Sequence, residues 1–93
     1  VEERSRLLAE LGDLLVESLN LKKPNPPIGP DEPVFLGRLA LDSVDAAQWI
    51  ATIERRYAVE FSDSELTGGA LESLGTLADV LIRRGIYARS SLA

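Results

Sequence analysis

Leu7, Leu8, Leu11, Leu14, Leu15 and Leu19 recur at three- and four-residue steps, with Glu2, Glu3, Arg4, Arg6, Glu10, Asp13 and Glu17 largely between them. This is the period of a helix with one buried face, and it predicts a first helix from Val1 to Leu21. The pattern then breaks. Lys22 to Pro33 holds all five prolines of the chain together with Asn25, Gly29 and Asp31, a density of backbone constraint that excludes continuous helix and central strand alike. An ordered loop pinned to the core by Ile28, Val34 and Phe35 is the expected structure. A flexible interdomain linker competes with it less well, because of those apolar residues.

Helical spacing resumes at Ser43 and carries Ala46, Trp49, Ile50, Ile53 and Tyr57 along one face to Tyr57. That face should pack inward, with Trp49 as a core residue. Asp63 to Leu71 predicts a short helix interrupted by Gly68-Gly69, its Asp63 and Glu65 a solvated helix start. Ser73 to Arg84 predicts a last helix through Leu74, Leu77, Val80, Leu81 and Ile82, stopped by Gly85 and complemented by Arg83 and Arg84. Val59-Glu60-Phe61 alternates like a strand but has no partner. The expected fold is all-α: four helices around one core, with a long first connection and a short third helix, over residues 1–85, and a partly ordered tail at 86–93.

Ninety-three residues make one domain. With neither Cys nor His, there is no disulfide framework, no thiol chemistry of its own, and neither the commonest metal ligand nor the commonest general base. A net charge of -5 and a pI near 4.6 argue against binding nucleic acid or anionic membrane surfaces and in favour of basic partners. No stretch is long and apolar enough to cross a bilayer, and the N-terminal residues are too charged for a secretory signal, so a cytoplasmic location is expected. A stand-alone chain and a piece of a longer one both fit the sequence.

The candidate chemistry lies at Ser43, where the proline-rich loop gives way to the second helix. A helix N-terminus offers unpaired N–H groups and the positive end of the helix dipole, which suits a phosphate attached to that hydroxyl. The plainer reading makes Asp42 or Ser43 an N-cap. The two are compatible, since a capping serine on the surface keeps an accessible hydroxyl.

Three segments in order carry a wider likeness: Leu39-Ala40-Leu41-Asp42-Ser43-Val44, then Ile53-Glu54-Arg55-Arg56-Tyr57-Ala58-Val59-Glu60-Phe61, then Ser73-Leu74-Gly75-Thr76-Leu77-Ala78-Asp79-Val80-Leu81. Together they resemble the acyl carrier protein family, in which the serine of an Asp-Ser-(Leu/Val) motif accepts a 4'-phosphopantetheine arm. The Leu-Asp-Ser-Val-Asp form, followed by Glu-x-x-Tyr-x-Val-x-Phe, looks more like discrete carriers than domains embedded in modular synthases. The resemblance implies a four-helix carrier fold, with Ser43 as the attachment residue and Asp42 as part of its motif. It also implies a docking surface on the second helix, formed by Val44, Asp45, Gln48, Ala51, Glu54 and Arg55. Two departures stand out. Ala40 replaces a glycine usual before the motif, and Gln48, Arg55 and Arg56 thin a face that is commonly acidic in the family, so partner choice should be narrowed or redirected.

The function so implied is passive. A phosphopantetheinyl transferase would place the arm from coenzyme A on Ser43 with the help of magnesium. The arm's thiol would then carry an acyl group as a thioester between a loading enzyme and downstream synthase enzymes of fatty-acid, polyketide or other secondary metabolism. An aminoacyl or peptidyl cargo is the alternative, as is a helical interaction module that bears no arm. The carrier is expected to act as a monomer. No triad or activated carboxylate supports an enzyme, and the small Ala46, Ala47 and Ala51 could admit a cargo chain between helices unless Trp49 fills that space.

Overall fold

A computed structural model of the chain describes residues 2–22, 28–35 and 41–87. Four helices run in order: α1 (Glu2–Ser18), α2 (Ser43–Tyr57), α3 (Asp63–Thr67) and α4 (Leu74–Arg83). Among the described residues there is no strand; Phe35 and Leu41 form an isolated parallel bridge. Ala40, the tail from 88 onward and the three prolines at 24, 26 and 27 lie outside the described residues.

The core is the one the periodicity predicts. Leu7, Leu11 and Leu15 from α1, Trp49, Ile53 and Tyr57 from α2, and Leu74, Leu77, Ala78 and Leu81 from α4 are buried together. Each set is spaced by three or four residues, so each helix turns one stripe inward. α1 packs chiefly against α4 and secondarily against α2. α3 contributes no buried residue and is tied to α4 by the Glu65–Arg84 ion pair.

α1 is shorter than its leucine pattern suggests, because the chain reverses at Asn20. Asn20 has φ 54°, and the Leu21 and Asn20 N–H groups donate back to the Val16 and Glu17 carbonyls, the pairing that closes a helix when the residue after the cap is left-handed. Ala58 (φ 53°) and Gly85 (φ 79°) end α2 and α4 in the same conformation, with Val59 and Ile86 donating to Glu54 and Leu81.

The first connection is an ordered strap over residues 28–35. Val34 is fully buried, and Ile28 and Phe35 pack on the core edge. The Val34 N–H donates to the Glu72 carbonyl at 2.9 Å and the Gly75 N–H to Pro30 at 2.8 Å. A Cβ at Gly75 would meet the Pro30 oxygen at 2.7 Å, so the strap requires glycine at that point of α4. The chain leaves this strap, returns at Leu41, and enters α2 with its direction fixed.

Candidate functional site

The start of α2 is built by a reciprocal cap. Asp42 is extended, and its Oδ1 accepts from the Val44 and Asp45 N–H groups at 3.0 Å each, while the Asp42 N–H donates to Asp45 Oδ2 at 3.0 Å. This is a capping box with aspartate at both ends. The Asp45 and Val44 N–H groups hold the Asp42 carboxyl below the usual carboxylate range. Ser43 is therefore the first residue of the helix and not its cap, and its side chain is exposed.

This corrects the electrostatic expectation. The second and third N–H groups of α2, which a bare helix end would offer to a phosphate, are already occupied by Asp42, whose charge offsets the positive end of the dipole. The cap leaves the hydroxyl accessible instead of cradling what is attached to it. Asp42 is also a poor general base, being both engaged and lowered in pKa.

Four other described serines are occupied or enclosed. Ser18 Oγ donates to the Leu15 carbonyl. Ser62 caps α3, accepting from the Glu65 N–H at 3.2 Å, and shares a hydrogen bond with Ser64. Ser73 caps α4 and is buried. Ser43 and Ser5 are exposed with hydroxyls that have no hydrogen bond to another described residue; Ser5 lies within α1, whereas Ser43 opens α2 beside its Asp42 cap.

Of the residues expected on a docking face, the structure assembles some and diverts others. Val44 is 72% exposed, and Ala51 and Arg55 are exposed on the same side about two and three turns further on. Ala47 joins them, as its spacing from Val44 requires. Gln48 is exposed, but its Nε2 donates to the Ser18 carbonyl at 2.8 Å, closing the end of α1. Glu54 is half-buried and accepts from the Phe61 N–H at 3.0 Å, holding the chain that leaves α2. Asp45 is committed to the capping box. Arg56 turns toward α1, its Nη2 lying 3.8 Å from Glu10 Oε1.

Glu10 is the residue that periodicity missed. It interrupts the polar face of α1 as an ordinary surface acid would, yet it is 8% exposed and accepts a hydrogen bond from the Tyr57 hydroxyl. Burial, and then this bond to a carboxylate, push the Tyr57 phenol above its usual range. The helical register of α1 puts Glu10 beside Leu7 and Leu11, and that adjacency was the available signal.

The family model for the phosphopantetheine attachment site matches residues 9–81, from the middle of α1 to the last turns of α4. The chain belongs to this family. Its members carry 4'-phosphopantetheine covalently on a serine and are carriers without catalytic activity, so this carrier domain is not an enzyme. No curated protein and no solved structure matches the chain significantly. Among the described residues no helix is long and apolar enough to cross a membrane and no three or more carboxylates cluster as ligands for a metal ion. An exposed serine at the first position of a capped helix fits covalent attachment: a transferase can reach it, and neither the core nor the cap depends on its hydroxyl.

Proposed function

We propose that Ser43 is the serine that bears the arm and that this carrier domain is an acyl carrier of the discrete type, serving fatty-acid, polyketide or related secondary metabolism in the cytoplasm. The observation that carries the assignment of Ser43 is its exposed, unengaged hydroxyl at the first position of α2 beside Asp42 and Val44: Ser18, Ser62, Ser64 and Ser73 are engaged or enclosed, and Ser5, exposed on α1, lies outside residues 9–81 that the family model matches. The acyl reading rests on the resemblance of the Leu41-Asp42-Ser43-Val44-Asp45 run to discrete acyl carriers. An aminoacyl cargo is the alternative.

Ser43 supplies the nucleophile for loading. Its Oγ forms a bond to phosphorus as the diphosphate bond of coenzyme A breaks, the adenosine bisphosphate half leaves, and the hydroxyl proton passes to the transferase or solvent. The base and magnesium ion must belong to that enzyme, because Asp42 is locked in the cap and the chain has no His. Once attached, the arm offers a terminal thiol for a thioester. Val44, Ala47 and Ala51 form the apolar strip that meets partner enzymes, and Arg55 sets the charge at its far end, favouring an acidic patch on the partner. Arg56 is left out of this role by its position against Glu10.

Incubation with a broad-specificity transferase, coenzyme A and magnesium, read by intact mass, should add one phosphopantetheine to the wild type and none to Ser43→Ala. A folded wild type that gains no mass contradicts the carrier assignment.

A further inference from the structure

An acyl chain on the arm leaves apolar surface in water unless the protein encloses it, so the interior of the bundle decides which cargo this carrier can shield. The natural route inward from Ser43 follows the buried face of α2, past Ala46. Trp49 stands on that face six residues beyond Ser43, about 9 Å along the axis at a rise of about 1.5 Å per residue. It is fully buried, with Ile53 and Tyr57 closing the same stripe behind it. Of the small residues that could have made room, Ala47 and Ala51 are exposed, and Ala46 is half-buried on the approach to Trp49.

Two open clefts on the described surface do not suit an acyl chain. One, of about 370 Å³, lies between α3 and α4 with Glu65, Asp79 and Arg83 at its wall. The other, of about 430 Å³, lies along the end of α1 beside Asp13 and Glu17. Both are open to water and carry charged groups, which would be desolvated without compensation by a hydrocarbon chain.

We propose that Trp49 closes the interior of this carrier to cargo, so that its substrate class is short or polar acyl groups held in solvent and not long hydrocarbon chains enclosed by the bundle. This rests on Ser43 being the attachment residue, and it deepens that reading by naming the cargo class. Occupation of the arm by different cargo then leaves the fold of the carrier unchanged, and partner enzymes meet the same surface whatever is loaded.

The test uses the intact chain, loaded by a transferase from hexanoyl-, octanoyl- and dodecanoyl-coenzyme A, with each product verified by intact mass before any further measurement. Failure to load is thereby a failure of the Ser43 assignment and is seen separately. The expected result is one melting temperature and one Trp49 emission maximum for the whole series. A melting temperature that climbs with chain length, or an emission maximum that moves with it, overturns the proposal. In the same series on Trp49→Leu, with Trp49→Phe as the milder variant, the melting temperature should rise with chain length because a cavity has been opened. A flat series in folded Trp49→Leu overturns the assignment to Trp49.

Discussion

Replacing Trp49 by alanine removes the largest fully buried side chain of the core. A tryptophan of this kind takes roughly 150–250 Å² out of water, which at about 25 cal/mol per Å² corresponds to roughly 4–6 kcal/mol as an upper bound. Deletions of this size in cores typically cost about 3–5 kcal/mol, since the cavity left behind collapses only in part. At about 0.05–0.15 kcal/mol per residue a 93-residue domain holds roughly 5–14 kcal/mol of stability in total. The variant should therefore be severely weakened, and unfolded outright if the wild type lies at the lower end. Urea unfolding followed by far-UV circular dichroism is the suitable assay, because the variant loses the chain's single Trp. With a slope of about 1.5 kcal/mol per molar, the midpoint should fall by roughly 2–3 M, and Trp49→Phe should fall less. A shift smaller than about 0.5 M, with wild-type Trp49 emission already that of an indole in water, refutes the inward placement and with it the closed interior.

The remaining predictions concern the caps, the buried acid and the acid limb. Ala58→Gly should raise stability by roughly 0.5–1 kcal/mol, seen as a melting temperature several degrees higher, because alanine at φ 53° is strained where glycine is not; an unchanged or lower value contradicts the left-handed close of α2. Tyr57→Phe should cost about 1–3 kcal/mol in urea unfolding, since it deprives buried Glu10 of the phenol that donates to it; a neutral change means Glu10 is satisfied without that bond. The Glu65 carboxyl is lowered from 4.5 to about 2, chiefly by Arg84, with the Ser62 N–H adding to it. A depressed carboxylate stabilises the fold above its unfolded value, and this contribution drains away as pH falls from about 4.5 to about 2. Arg84→Gln should flatten the melting temperature against pH in that window, and an unaltered slope assigns the acid limb to other groups.

The helices and their inner faces were legible because burial in this fold follows the helical period: Leu7, Leu11 and Leu15, or Trp49, Ile53 and Tyr57, are at once the sequence pattern and the core. The strap was legible in part, through Ile28, Val34 and Phe35, whereas its dependence on Gly75 was not, since a close backbone approach leaves no periodic trace. Ser43 was singled out by its neighbours in sequence, and the structure exposes it at the first position of α2. What could not be read was the direction in which polar side chains turn. Gln48, Glu54 and Arg56 look like surface residues in any pattern of hydrophobicity, yet each reaches a group brought near by the fold: the Ser18 carbonyl, the Phe61 N–H and Glu10. Glu65 likewise read as a solvated helix start, and it instead joins α3 to Arg84. The exposed strip of α2 is consequently Val44, Ala47 and Ala51, with Arg55 as its outward-turned charge, and holds fewer polar groups than the sequence pattern suggested.

Peptide-level mass spectrometry of the transferase-treated chain tests the central claim most directly, because it reports which serine carries the arm. The account predicts a single phosphopantetheine on the peptide that contains Ser43, with every other serine of the chain unmodified. An arm located on any other serine, or a folded chain modified nowhere, contradicts it.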